Sequence, residues 1–201
     1  MEHIDNQVRL RGTLLALPRF SHENHDRKFF RFTLEVSRLS GAVDLLPVVA
    51  EERLLNDMDL SGGSMLTVTG QIRTHNIREN GIRHLLIFVF AAQIICEDGE
   101  PINEVIVEGP LCKEPTYRRT PLGREICDIM LAVNRMNNKS DYIPCIAWGR
   151  NARFASSFEV GKRIQIWGRV QSRDYVKKIN ETESEKHTAY EVSVSKLEYA
   201  D

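Results

Sequence analysis

Apolar and polar positions alternate with period two at Val8, Leu10 and Leu14, and again at Val105, Val107 and Leu111. That is the spacing of a strand with one buried face. Downstream of each lies a stretch rich in proline, glycine and charge, Arg19 to Arg27 and Glu114 to Gly123, which reads as a loop. Two further strands follow, over 28–38 and 43–50 in the first half and over 125–135 and 141–148 in the second. The pattern then turns helical, more clearly over 151–158 than from Glu51 to Met58. A fourth strand starts after Gly63 or Gly161, and a hairpin leads into a fifth.

The halves match residue by residue. Asn6, Val8, Leu10, Gly12 and Leu14 return 97 positions later as Asn103, Val105, Val107, Gly109 and Leu111. The offset persists through Phe32–Arg38 and Ile129–Arg135, then Asp44–Ala50 and Asp141–Ala147. After a one-residue shift Gly63 and Gly70 answer Gly161 and Gly168. An ordered series of this kind is a duplication. It divides the chain into domains 1–97 and 102–201, joined by the polar segment Glu97–Pro101. Five short strands with one helix between the third and fourth is the order of an OB-fold barrel, so the expected class is all-β with two tandem barrels.

Charge separates the halves. Residues 1–101 carry 11 Lys and Arg against 14 Asp and Glu, whereas residues 102–178 carry 14 against 8. A local basic excess favours a polyanionic ligand on the second half. Cys96, Cys112, Cys127 and Cys145 stand far apart without a CxxC pair, and they read as reduced core residues rather than zinc ligands or disulfides. No charged-then-apolar leader opens the chain, and the apolar run Leu85–Ile95 is too short for a membrane span and reads as a buried strand. A cytoplasmic, membrane-free protein is expected.

The second half carries a more specific signature. Asn103–Leu111, Glu114–Gly123, Ile129–Arg135, Asp141–Gly149 and Gly161–Tyr175 together, in this order, resemble the bacterial single-stranded DNA-binding proteins. The resemblance implies an OB-fold protein that covers single strands in replication, recombination or repair, and it places stacking aromatics at Tyr142, Trp148 and Tyr175. Interleaved with them are Arg118, Arg124, Arg135, Lys139, Arg150, Arg169, Arg173 and Lys177, the cations expected on phosphates. Alternation in the third strand puts Ile143, Cys145 and Ala147 on one face and Tyr142, Pro144, Ile146 and Trp148 on the other, without saying which is inner. Trp167 reads as a packing residue between barrels. Asn137 and Arg119 stand where the family's pattern has aromatics.

In the first repeat Tyr142, Trp148 and Tyr175 correspond to Leu45, Glu51 and Ile77, so its stacking platform is gone and an architectural role is expected. Phe20, Phe29, Phe30, His75 and His84 read as core or surface residues there, and His22 and His25 as a solvated loop. Neither a catalytic constellation nor a metal or cofactor motif is evident, so an enzyme is not expected. The resemblance further implies four barrels, hence a homodimer of this two-barrel chain. The family's acidic tail does not follow Lys196–Asp201, so a specialised paralogue, or a member recruiting partners by its barrel surface, is expected. Two competing readings are an OB-fold interaction module of a primosome-like assembly and an RNA-binding OB protein.

Overall fold

A computed structural model describes residues 5–79, 82–135, 139–178 and 184–200. The first half holds β1 (Asn6–Leu14), β2 (Arg19–Asn24), β3 (Arg27–Ser37), β4 (Val43–Glu51), a 3₁₀ turn (Glu52–Leu54), β5 (Met65–Glu79) and β6 (Ile82–Cys96). The second repeats it with β7 (Ile102–Pro110), β8 (Thr116–Arg119), β9 (Glu125–Asn134), β10 (Ser140–Trp148), α1 (Arg150–Ala155), β11 (Arg163–Lys178) and β12 (Ser184–Tyr199). Each half is an OB-fold barrel, and alternate residues of its strands fill an aliphatic interior: Val8, Leu10, Leu34 and Val68 in one, Val105, Leu131, Ile143 and Ile166 in the other.

The two barrels share one twelve-stranded sheet, ordered β2-β3-β4-β6-β5-β1-β7-β11-β12-β10-β9-β8. Their joint is the antiparallel pair β1–β7, in which Val8 lies opposite Val105. These two valines are equivalents in the duplication, so a pseudo-twofold axis passes between them. Each barrel closes where its first strand meets its third, through Thr13↔Glu35 and Leu14↔Leu34 in one and the Leu111↔Leu131 bridge in the other.

The repeated glycines mark close backbone crossings. A Cβ on Gly12 would sit 2.4 Å from Glu35 O and one on Gly109 the same distance from Ala132 O, at barrel closure. At Gly70 and Gly168 it would meet Phe90 O at 2.1 Å and Ser193 O at 2.2 Å, beside the β-bulges of β6 and β12. All four obstacles are backbone and cannot swing aside. Gly168→Ala is therefore expected to destabilise the protein by about 1–3 kcal/mol in urea unfolding, the scale of an overpacked interior.

A polar clamp repeats on either side of the axis. Fully buried Asp44 accepts from Arg38 Nε at 2.6 Å and, across the joint, from the Ser172 amide at 2.8 Å. Its counterpart Asp141, also fully buried, accepts from Arg135 Nε at 2.7 Å and Arg73 Nη1 at 3.2 Å, and from the amide of Thr74. Burial opposes ionisation of Asp141, but the Arg135 and Thr74 hydrogen bonds overrule it and hold its pKa below the ordinary carboxylate value. A depressed folded-state pKa gives stability that is present above the unfolded value, about 3.9, and is lost as pH falls through the folded one. The unfolding free energy should therefore fall on acidification below about pH 4. Asp141→Asn should flatten that limb of the profile.

Three differences from the sequence expectations stand out. The segments read as loops contain the short strands β2 and β8, paired with β3 and β9. They are exposed on both faces but for half-buried Ser21, so no alternation betrays them. The first-half helical segment is only a 3₁₀ turn, whereas α1 buries Ala152 and Ala155. Cys127 and Cys145 are core residues, and burial pushes the Cys127 thiol up to about 11. Cys96 and Cys112 instead lie at the surface, correcting the expectation of four core cysteines. None of the described helices is long and apolar enough to cross a membrane.

Candidate nucleic-acid interface

The inner face of β10 is the one carrying Ile143, Cys145 and Ala147, all buried. Tyr142 and Trp148 consequently point outward, 45% and 39% exposed. They stand six residues apart on one strand, about 20 Å at strand rise. Trp148 ends β10 at Gly149, whose φ of 54° and ψ of −120° suit a residue without a Cβ, and α1 begins immediately after. Tyr175, 40% exposed, lies on the β11–β12 hairpin. Its ring stacks on His187 at 5.6 Å and carries the Arg173 guanidinium at 5.8 Å.

Between these elements runs an open groove of about 780 Å³, lined by Arg38, Asn103, Arg124, Trp148, Gly168, Arg169, Gln171, Ser172, Arg173, Ser193, Val194 and Ser195. Four arginines and an indole face it, and among the described residues no carboxylate lines it. Asn103 is fixed there by a two-way bond to the Val170 backbone, 2.7 and 2.8 Å. Among the described residues, Arg169 Nε is buried without a hydrogen-bond partner, and its Nη2 reaches only Gln171 at 3.4 Å. Glu191 lies 3.6 Å from Arg173 Nε and offsets part of that charge.

The residues expected from sequence divide into groups. Trp148, Arg124, Arg169 and Arg173 come together in the groove, and Tyr175 adjoins it through Arg173. Arg118 lies apart on exposed β8 and forms a two-pronged pair with Asp128, at 2.8 and 3.3 Å. Arg150 is exposed at the start of α1, outside the groove lining. Tyr142 belongs to the joint between barrels, where its amide donates to Thr74 Oγ1 at 3.0 Å. Arg135 is engaged by Asp141 and by Thr74 O at 2.9 Å, so its guanidinium serves the inter-barrel clamp. Asn137, and the side chains of Lys177 and His84, lie outside the described residues.

Trp167 is half-buried on the outer sheet face under Lys196 of its own barrel, whose Nζ is 4.2 Å from the ring. Strand β7 stands between it and the first barrel. Trp167→Ala should therefore leave oligonucleotide affinity within about twofold of the parent in an anisotropy titration, because the ring is outside the groove lining. Sequence reasoning passed over Arg38 and Asn103. The signal for Arg38 was present in the repeat itself, where an arginine precedes an aspartate by six residues in both halves.

In the first barrel the position of Trp148 is held by Glu51, which pairs with Arg53 at 3.0 Å. Leu45 is exposed where the second barrel has Tyr142. Among the described residues no cluster of three or more His, Cys, Asp or Glu is placed to hold a metal ion.

Residues 102–200 match the single-strand binding protein family. Over 81 residues the chain is 35% identical to single-stranded DNA-binding protein 2 of Listeria innocua, covering 37% of this chain and 51% of that protein. The single-stranded DNA-binding protein of Clostridium tetani is 36% identical over 81 residues, covering 37% and 56%. The chain thus spans about half the length of the curated relatives it matches. The wild-type single-stranded DNA binding protein from Thermus aquaticus superposes on both barrels at TM-score 0.79, covering 98% of this chain and 93% of its own at 23% identity. That likeness is one of fold. The chain folds as two OB barrels joined edge to edge, and the match to the single-strand binding protein family falls on the second of them, residues 102–200.

Proposed function

We propose that the chain binds single-stranded DNA without sequence preference, along the outer groove of its second barrel. One observation carries the reading: four arginines and Trp148 line a groove that, among the described residues, contains no carboxylate. Every base offers a π face, so an exposed indole or phenol stacks on any sequence, and guanidinium groups hold the phosphates between stacked bases. Trp148 and Tyr175 take bases, Arg124, Arg169 and Arg173 take phosphates, and Tyr142 extends the platform towards the joint. Arg118 and Arg150 flank this track and add charge around it, and Lys177 is a further candidate cation. Arg135 acts through the clamp. The curated relatives' names, as single-stranded DNA-binding proteins, support the choice of ligand.

The first domain, residues 1–97, is mainly architectural in this reading and contributes weakly to binding: Leu45, Glu51 and Ile77 stand where its partner, residues 102–201, has aromatics. Two chains pairing would assemble four barrels, and such a dimer would protect strands in the cytoplasm during replication, recombination or repair. The protein performs no chemistry on the strand.

The test is a titration of labelled oligo-dT by anisotropy, with salt varied and with matched duplex DNA and RNA alongside. Salt-sensitive binding of the single strand, much weaker binding of duplex and a preference for DNA are expected. Equal or tighter binding of RNA would transfer the groove to RNA, and no binding at low salt would leave the fold with a protein-interaction role.

A further inference from the structure

Resting on the reading of the groove as a single-strand site, we propose that this site is shared between barrels, with Arg38 of the first barrel binding a backbone phosphate of the strand that stacks on Trp148. Among the described residues Arg38 is the one first-barrel residue in the lining, facing the same space as Arg124, Arg169 and Arg173. It follows β3, and the clamp fixes where it points. Nε and Nη2 fork onto the buried Asp44, which in turn accepts from the Ser172 amide of β11. Nη2 also reaches Ser172 O at 3.4 Å. Those bonds occupy one edge of the guanidinium and leave Nη1 without an acceptor among the described residues. The side chain remains 24% exposed.

A guanidinium clamped on one edge and open on the other is pre-organised for an anion, since little rotamer freedom is left to lose on binding. Phosphate is the anion that a single strand brings past Trp148. The same clamp in the other half does not offer this: Asp141 is held by both Arg135 and Arg73, and Arg135 Nη2 is turned to Thr74 O. The position equivalent to Arg73 is Gln171, which binds Glu191 instead and leaves Asp44 to a single arginine. The asymmetry supplies the second barrel's groove with a cation that its own sequence does not contain.

The experiment compares Arg38→Gln, Arg38→Lys and Trp148→Ala with the parent full chain, titrating labelled oligo-dT across a series of salt concentrations. One phosphate contact contributes about 0.7 to the logarithmic salt slope of a single-strand complex. Arg38→Gln should weaken binding about three- to tenfold and lower the slope by about 0.7. Arg38→Lys cannot make the two-pronged bond to Asp44, yet it keeps the charge. Its melting temperature should fall as far as that of Arg38→Gln while its slope stays at the parent value. An unchanged slope in Arg38→Gln, or equal loss of affinity and slope in both variants, overturns the proposal and leaves Arg38 structural. If Trp148→Ala binds as the parent does, or the parent does not bind, the groove reading falls and takes this inference with it.

Discussion

Trp148→Ala is expected to weaken oligo-dT binding about thirtyfold, because base stacking on an aromatic contributes about 1–3 kcal/mol and Trp148 is the ring inside the groove. Combined with Tyr175→Ala the loss should reach several hundredfold, if the two rings stack separate bases and their effects add. Neither substitution opens a large core cavity, since both side chains project outward and the interior beneath is filled by Ile143, Cys145, Ala147 and Ile166. The melting temperature should therefore stay within a few degrees of the parent. Salt dependence should also persist, because the arginines remain. A variant that loses affinity and also melts early would indicate that Trp148 supports the fold rather than the ligand.

The largest effect on stability is expected from Asp141→Ala. Its carboxylate faces Arg135 and Arg73 together and accepts from the Thr74 amide, so truncation leaves two half-buried guanidinium groups side by side and a buried N–H without its acceptor. Removing one partner of a buried ionic group costs about 3–5 kcal/mol, much of it from the charge left behind. Asp44→Ala strands one arginine, Arg38, together with the Ser172 amide, and should cost less. Chemical denaturation of the full chain gives both numbers. Equal costs in the two variants would indicate that the second arginine of the larger clamp adds nothing.

Much of this architecture is legible in the sequence because it is written twice. The alternation of Val8, Leu10 and Leu14 and its return at Val105, Val107 and Leu111 set the strands that now pair across the joint. The glycines repeat because backbone crosses backbone at Gly12, Gly70, Gly109 and Gly168. Periodicity could not say which face of β10 was inner, since Ile146 sits on the same alternation as Tyr142 and Trp148 and is itself buried. It was equally silent on β2 and β8, whose residues face solvent on nearly every side.

The site was legible as far as one barrel determines it. Trp148, Arg124, Arg169 and Arg173 lie on adjacent elements of the same barrel and can be grouped from strand order alone. Arg135 has the right charge and the right strand, but its geometry is set by Thr74, 61 residues away in the other barrel. Arg38 depends on the same joint. The edge-to-edge packing of β1 on β7 is a contact between equivalents, and nothing local in either segment announces it.

The most direct test of the central claim is to photo-crosslink oligo-dT to the full chain and map the modified peptides. Crosslinks concentrated on peptides containing Trp148 and Tyr175, suppressed by excess unlabelled single strand and spared by duplex, are the predicted result. Crosslinks confined to residues 5–79 or spread evenly over both barrels would contradict it.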